Sequence, residues 1–222
     1  MHVSLNEIAA TVERAARGAG ATAGADVEAG SAVAWLEARG VPALGHLAAA
    51  LDHGPARSLA LDDGRVALAG ASCAFHAGAL IDMAVARLAT GEGGLTVTEA
   101  RDPQFLVAAA DRFAPAGLAL TIAWGVGEAR FDAAGALAFH GTVPGPAVAM
   151  TVDVRVGGPG PQASAWLDAA TLDRRRRDAI ARGVDVDPAV WARLRDVARR
   201  TYVPASAQSR SRGAGAEVDD SA

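Results

Sequence analysis

Cys73 and His76, in the stretch SCAFHAG, are the only cysteine and histidine that neighbour each other in the chain. A thiol attacks as the thiolate, and it needs a base or a cation beside it to become one. Three residues apart, the two side chains face opposite ways in an extended segment and meet only in a helical turn or a loop. A small buried thiol beside an unrelated histidine is the plainer reading, because catalytic pairs are usually assembled from distant segments. His140, in FHGTVPGP, ends an expected strand just before a Pro/Gly loop. Functional side chains concentrate at such loop ends, and a histidine there could serve as acid or base. A surface histidine in a turn is its plainer alternative. Cys73, His76 and His140 are therefore the candidates for catalysis.

Two further residues are candidates for binding. The run LDRRRRDAI places four arginines in a row inside an amphipathic helical pattern. Four consecutive helical residues spread over about 300° of the wheel, so they cannot share one outer face. Arg176 lies four residues from both Leu172 and Ile180, on the expected apolar stripe. Its methylenes could cover the core while its guanidinium stays wet, or its fork could hold a carboxylate or an anionic ligand. Flanking Asp173 and Asp178, and the lack of interleaved aromatics, count against a nucleic-acid stripe. Asp82, in ALIDMAVA, reads either as a helix N-cap or as a buried carboxylate that needs a cation, with Arg176 the partner to check.

Other chemistries lack support. His46 and His53 are seven apart, too far along one helix to chelate a metal together, and no HxH or HExxH pattern occurs. RGAGATAGAD follows a helix and lacks GxGxxG, so it is not read as a nucleotide loop. No metal and no cofactor is expected. The single cysteine excludes an intrachain disulfide. The net charge of −4 argues mildly against nucleic acid as a partner. The start, MHVSLNEI, lacks the pattern of a signal peptide, and no run approaches a membrane span. A cytoplasmic protein with no membrane partner is expected. All 21 basic residues are arginine, a bias that a GC-rich genome explains as well as any mechanism.

The elements that must hold these residues fall in three blocks. Ser4–Glu7 is a possible capping box, followed by Leu5, Ile8, Val12 and Ala15 at helical spacing. A second helix fits 26–39, and a third begins near Pro42 and ends at Gly54. The middle alternates: a hairpin around Asp62-Asp63-Gly64, a short helix over 82–89, then strands at 94–100 and 117–124, two strands on either side of a turn at 132–135, and a strand at 147–156. A weaker helix follows Pro103. After the breaker loop 157–162 come helices over about 165–182 and 188–200, with Asp187 as N-cap and Pro188 in the first turn. The fold class is α+β: N-terminal helices, a central largely antiparallel sheet, and C-terminal helices. The expected organisation is one α+β domain over 1–203, with 1–54 as a helical subdomain, and a flexible tail over 204–222.

The opening VSLNEIAATVERAARGAGATAGADVEAGSAVAWLEARG, the middle AGALIDMA and the close RTYVPASAQSRSRGAGAEVDD resemble an uncharacterised bacterial family. That family is common in proteobacteria and is catalogued as a domain of unknown function. The resemblance implies a bacterial, self-contained unit of this length. It implies no activity, and no catalytic residue carries over from it.

Two functions compete. The first is a non-catalytic accessory subunit, or protein-binding domain, in a bacterial cytosolic complex; its partner is another protein subunit, and it predicts an exposed apolar patch. The alternative is a small-molecule enzyme or ligand-binding domain that recognises an anionic metabolite. Its site would lie where strand ends meet helices, with at least two of Arg176, Asp82, His140 and Cys73 converging. Whether the chain is an enzyme, and its oligomeric state, stay open.

Overall fold

The computed structural model describes residues 1–156 and 165–202. The expected breaker loop at 157–162 and the tail at 204–222 lie outside the described residues. The fold is α+β. Helices α1 (Leu5–Gly18), α2 (Ala25–Ala38) and α3 (Leu44–Ala50) come first, as their spacing predicts. The Ser4 hydroxyl accepts the Glu7 N–H at 3.2 Å, the N-cap half of a capping box. α1 and α2 pack on each other, and α7 (Pro188–Ala198) returns from the far end of the chain to pack on α1.

The hairpin of β2 (Leu61–Asp62) and β3 (Arg65–Ala67) turns through Asp63 and Gly64, at φ 42 and 73. Two positive φ values in a two-residue turn are what asparagine, aspartate and glycine tolerate best. The chain then passes through a 3-10 turn (Cys73–Phe75) and α4 (Ala77–Ala89) into β4 (Leu95–Ala100). β4 lies parallel to β3, which makes a βαβ unit inside an otherwise antiparallel sheet. After α5 (Gln104–Ala110) come β5 (Leu120–Trp124), β6 (Gly127–Phe131), β7 (Leu137–Gly141) and β8 (Met150–Val156). β9 (Ala165–Leu167) completes the eight-stranded order β2-β3-β4-β8-β5-β6-β7-β9. α6 spans Ala169–Arg182, and β10 (Val184–Asp185) pairs with β1 (His2–Val3) in a separate two-stranded ribbon.

The sheet has one dry and one wet face. Leu120, Ile122, Trp124, Val152 and Val154 are buried on the side that α4 and α5 cover, while Thr121, Asp153 and Arg155 alternate with them. This is the period of two that the alternating valines of β8 announce.

Two of the element boundaries that differ from the sequence reading have a visible cause. The expected helix from residue 165 opens instead as β9, because the β7 edge offers Phe139 and His140 as pairing partners and Asp168 caps α6 only afterwards. α4 begins at Ala77 rather than Asp82. The Glu28 carboxylate of α2 lies against Gly78, where any Cβ would collide with it, and places an acid at the helix N-terminus from outside the segment.

α7 starts where its cap predicts: the Asp187 carboxylate accepts the Ala189 N–H at 2.7 Å and the Val190 N–H at 3.3 Å. Asp187→Ala is expected to cost about 1 kcal/mol. Thermal unfolding checks this, and an unchanged Tm would show that the cap is redundant with the packing of α7.

Candidate functional site

The C-terminal ends of the parallel pair β3 and β4 open into a cleft. β3 leads into Leu68–Ala71, and β4 leads into Arg101 and Asp102. The two segments stay together beyond the strands: Ser72 bridges Arg101, and the Cys73 N–H donates to the Arg101 carbonyl at 2.9 Å. Strain gathers here. Three non-glycine residues adopt left-handed backbone at these strand ends: Ala69 (φ 49), Glu99 (φ 52) and Asp102 (φ 59). The register of β4 against β8 also shifts between Val97 and Ala100, and such a bulge re-aims the side chains that follow it. Strained backbone held at the end of rigid strands is characteristic of functional sites.

The cleft measures about 600 Å³. Its walls are 53–58, 67–71 and Arg101, and no aspartate or glutamate is among its described lining residues. His53 and Arg57 are exposed, Arg101 half-buried. Arg101 packs along Gly70, whose φ of +80 and missing side chain leave room for the guanidinium. Among the described residues the buried Arg101 Nε has no hydrogen-bond partner. Among the described residues neither Arg57 nor Arg101 forms an ion pair, although most other ion pairs here use arginine. Unpaired cations lining one cleft of an acidic protein suit an anion.

Behind Arg101 the polar groups are buried and paired. Asp102 is 1% exposed, and its carboxylate lies 2.8 Å from Nδ1 of His46, on α3. Glu37 caps α3 from α2: its carboxylate accepts the Ala43 N–H at 2.8 Å and the Leu44 N–H at 2.7 Å. Burial raises the Glu37 carboxyl above its ordinary pKa, against the pull of those two amides. Gln104, fully buried, donates to the Pro42 carbonyl at 3.2 Å. This network fixes the start of α3 and the left-handed turn at Asp102, and so the direction in which Arg101 leaves the strand.

The residues singled out from sequence do not converge. Cys73 is fully buried, and burial first, then the Asp102 charge, push its thiol far above the ordinary range. It is held as the thiol, the opposite of what a nucleophile needs. In the folded protein Cys73 is expected to ignore a thiol reagent such as DTNB and to react on denaturation; rapid labelling of the native state would contradict its burial. Among the described residues, the His76 imidazole makes no bond to the Cys73 thiol. Its Nε2 instead accepts the Ala56 N–H at 2.9 Å, and burial lowers its pKa. His140 sits on the wet face of the sheet opposite Glu128, with a buried Nδ1 that has no partner among the described residues.

Asp82 lies in the middle of α4, exposed, and pairs with Arg112 rather than Arg176. It is not the N-cap, a position that His76 occupies. Arg176 is exposed, and so is Ile180, at 63%. The buried line of α6 runs through Leu172 and Ala179. Arg175 is the member of the run that reaches the body of the protein, donating to the carbonyls of Arg39 at 3.5 Å and Gly40 at 3.4 Å. The sequence reading passed over Arg57, Arg101 and the His46–Asp102 pair. One signal for them existed: Arg101-Asp102-Pro103 puts two charges and a breaker directly after the strand LTVTEA.

Residues 3–75 match the model of a family described as a protein of unknown function, DUF3726. That match agrees with the resemblance drawn from the sequence. No curated protein matches the chain. Among solved structures, a dehydrogenase from Sinorhizobium meliloti is similar at a TM-score of 0.64 and 10% identity, over 89% of this chain and 99% of that one. A sulfolactate dehydrogenase from Methanocaldococcus jannaschii is similar at 0.58 and 8% identity, over 89% and 96%. The chain shares their fold. At such low identity the likeness carries no residue roles. No helix among the described residues is long and apolar enough to cross a membrane.

Proposed function

We propose that this chain is a small-molecule enzyme or ligand-binding domain whose site is the Arg101 cleft, and that it takes a small organic anion there. The observation that carries the reading is Arg101 itself. Among the described residues its guanidinium has no acidic partner, its buried Nε has no acceptor, and it lines a cleft without an acid. A buried donor left unmade is costly, so a ligand acceptor would relieve the cost as it binds. The position supports the reading as well: in open α/β arrangements ligands settle outside the carboxyl ends of parallel strands.

The chemistry of recognition follows from the lining. Arg101 would fork onto one carboxylate, sulfonate or phosphate group. Arg57 and His53, on the other segment, would meet a second polar end. Sulfolactate, named for one protein of this fold, is a small anion with both a carboxylate and a sulfonate, and belongs to that class. Arg176 and Asp82, the first choices from sequence, lie outside this cleft and are not its lining residues.

Calorimetric titration with sulfate, sulfolactate and a neutral analogue tests the reading. Binding of the two anions, weakened by salt and absent for the neutral compound, is the expected result. No anion affinity, together with a stoichiometric partner protein in gentle isolations, would replace this reading with an accessory subunit.

A further inference from the structure

One wall of the cleft is the segment 54–58, which connects α3 to β2 and carries Arg57. It belongs to no helix or strand. Among the described residues, the backbone of 55–60 makes one hydrogen bond, the Ala56 N–H to Nε2 of His76 at 2.9 Å. His76 stands on firm ground, between the 3-10 turn and α4, with its own N–H donated to the Cys73 carbonyl at 3.0 Å. Ala56 and Leu59 rest on the core, and a single hydrogen bond ties the backbone of the wall to the βαβ unit.

We propose that His76 is a positioning residue for the anion cleft: its neutral Nε2 accepts the Ala56 N–H and fixes the wall that carries Arg57, so that protonation of His76 releases the wall and weakens anion binding. The inference rests on the reading that the cleft takes an anion. A neutral imidazole has one acceptor nitrogen, whereas the imidazolium has two donors and no acceptor. Once His76 is protonated, two N–H groups face each other and the tether is lost.

The sign follows from burial. His76 is half-buried, and desolvation, the cause of its shift, lowers its pKa below the ordinary histidine value. At neutral pH the acceptor is present and the tether holds. It fails as pH falls through that lowered value. The charged groups around it are Glu28 of α2 against Gly78, Arg112 donating to the Gly78 carbonyl, His53 and Arg57 on the wall, and Arg101 and Asp102 at the end of β4. None of them contributes to the shift. His53, on the same wall, is present alike in every variant at position 76.

The probe is sulfate, which stays dianionic over the range used. Its affinity is measured by calorimetry for the wild type, His76→Gln and His76→Ala. Glutamine can present an acceptor near the place of Nε2 and does not titrate. At about pH 8 the wild type and His76→Gln are expected to bind alike, and His76→Ala about fivefold more weakly, the worth of one net hydrogen bond. In acid well below the ordinary histidine value, at the lowest pH where the fold stays intact, the wild type should fall towards His76→Ala while His76→Gln does not. If His76→Ala does not fold, the wild type against His76→Gln comparison decides alone. Parallel pH profiles for those two, or equal affinity of wild type and His76→Ala at the higher pH, would overturn the inference and leave the anion site in place. Absence of sulfate binding at either pH, or binding indifferent to Arg101→Gln, would remove the site and this inference with it.

Discussion

Arg101→Gln is expected to weaken sulfate and sulfolactate binding by roughly 10- to 100-fold, the range that one or two charge-assisted hydrogen bonds supply. Stability should barely change. Among the described residues Arg101 forms no ion pair, and its Nε is already without a partner, so the variant breaks little that the fold uses. Separation of the two readouts is the point. A residue kept for packing would lose stability first, whereas a residue kept for a ligand loses affinity at constant Tm. Arg101→Lys keeps the charge and loses the planar fork, and it should recover only part of the affinity. Unchanged sulfate affinity in Arg101→Gln, measured by calorimetry at low salt, would take the site away from this cleft.

Asp102→Ala has the largest expected effect on stability, a loss of about 3 kcal/mol, because it removes one partner of a buried, hydrogen-bonded pair. Two costs add. His46 loses the acceptor 2.8 Å from its Nδ1. Alanine must also adopt φ 59, a backbone that favours glycine, asparagine and aspartate. Asp102→Asn keeps an acceptor and tolerates that backbone, so its cost should be nearer 1 kcal/mol. Urea unfolding of the three proteins checks the order. An alanine variant as stable as the asparagine one would show that the pair contributes nothing net. The same alanine variant should weaken sulfate binding, since the turn at Asp102 aims its neighbour Arg101.

What the sequence made legible was local. Ser4 and Asp187 announce helix starts within three residues, and the structure uses both as caps. Asp62-Asp63-Gly64 announces a hairpin because few residues accept two positive φ values in a row. The valines of β8 announce a half-buried strand by their period alone. The parallel pairing of β3 with β4 was less visible: β3 is three residues long, too short for its pattern to show which neighbour it takes.

The site was hidden for a related reason. His46 and Asp102 are 56 residues apart, and only the tertiary fold brings α3 to the residues that follow β4. Arg57 and Arg101 converge through a connecting segment with no periodic signal. The arginine run misled through its phase. Ile180 was taken as the end of the apolar stripe because isoleucine is apolar, yet it faces water, and the buried line passes through Ala179. Small residues carry that face of α6, so hydrophobicity alone pointed to the neighbouring side.

Diffraction from crystals soaked in selenate tests the central claim most directly. Selenate copies the shape and charge of sulfate, and its selenium reports its own position by anomalous scattering. The account predicts a peak at the C-terminal ends of β3 and β4, within hydrogen-bond distance of the Arg101 guanidinium and facing Arg57. Selenate bound at the exposed arginines of α6, with the Arg101 cleft unoccupied at saturating concentration, would contradict it.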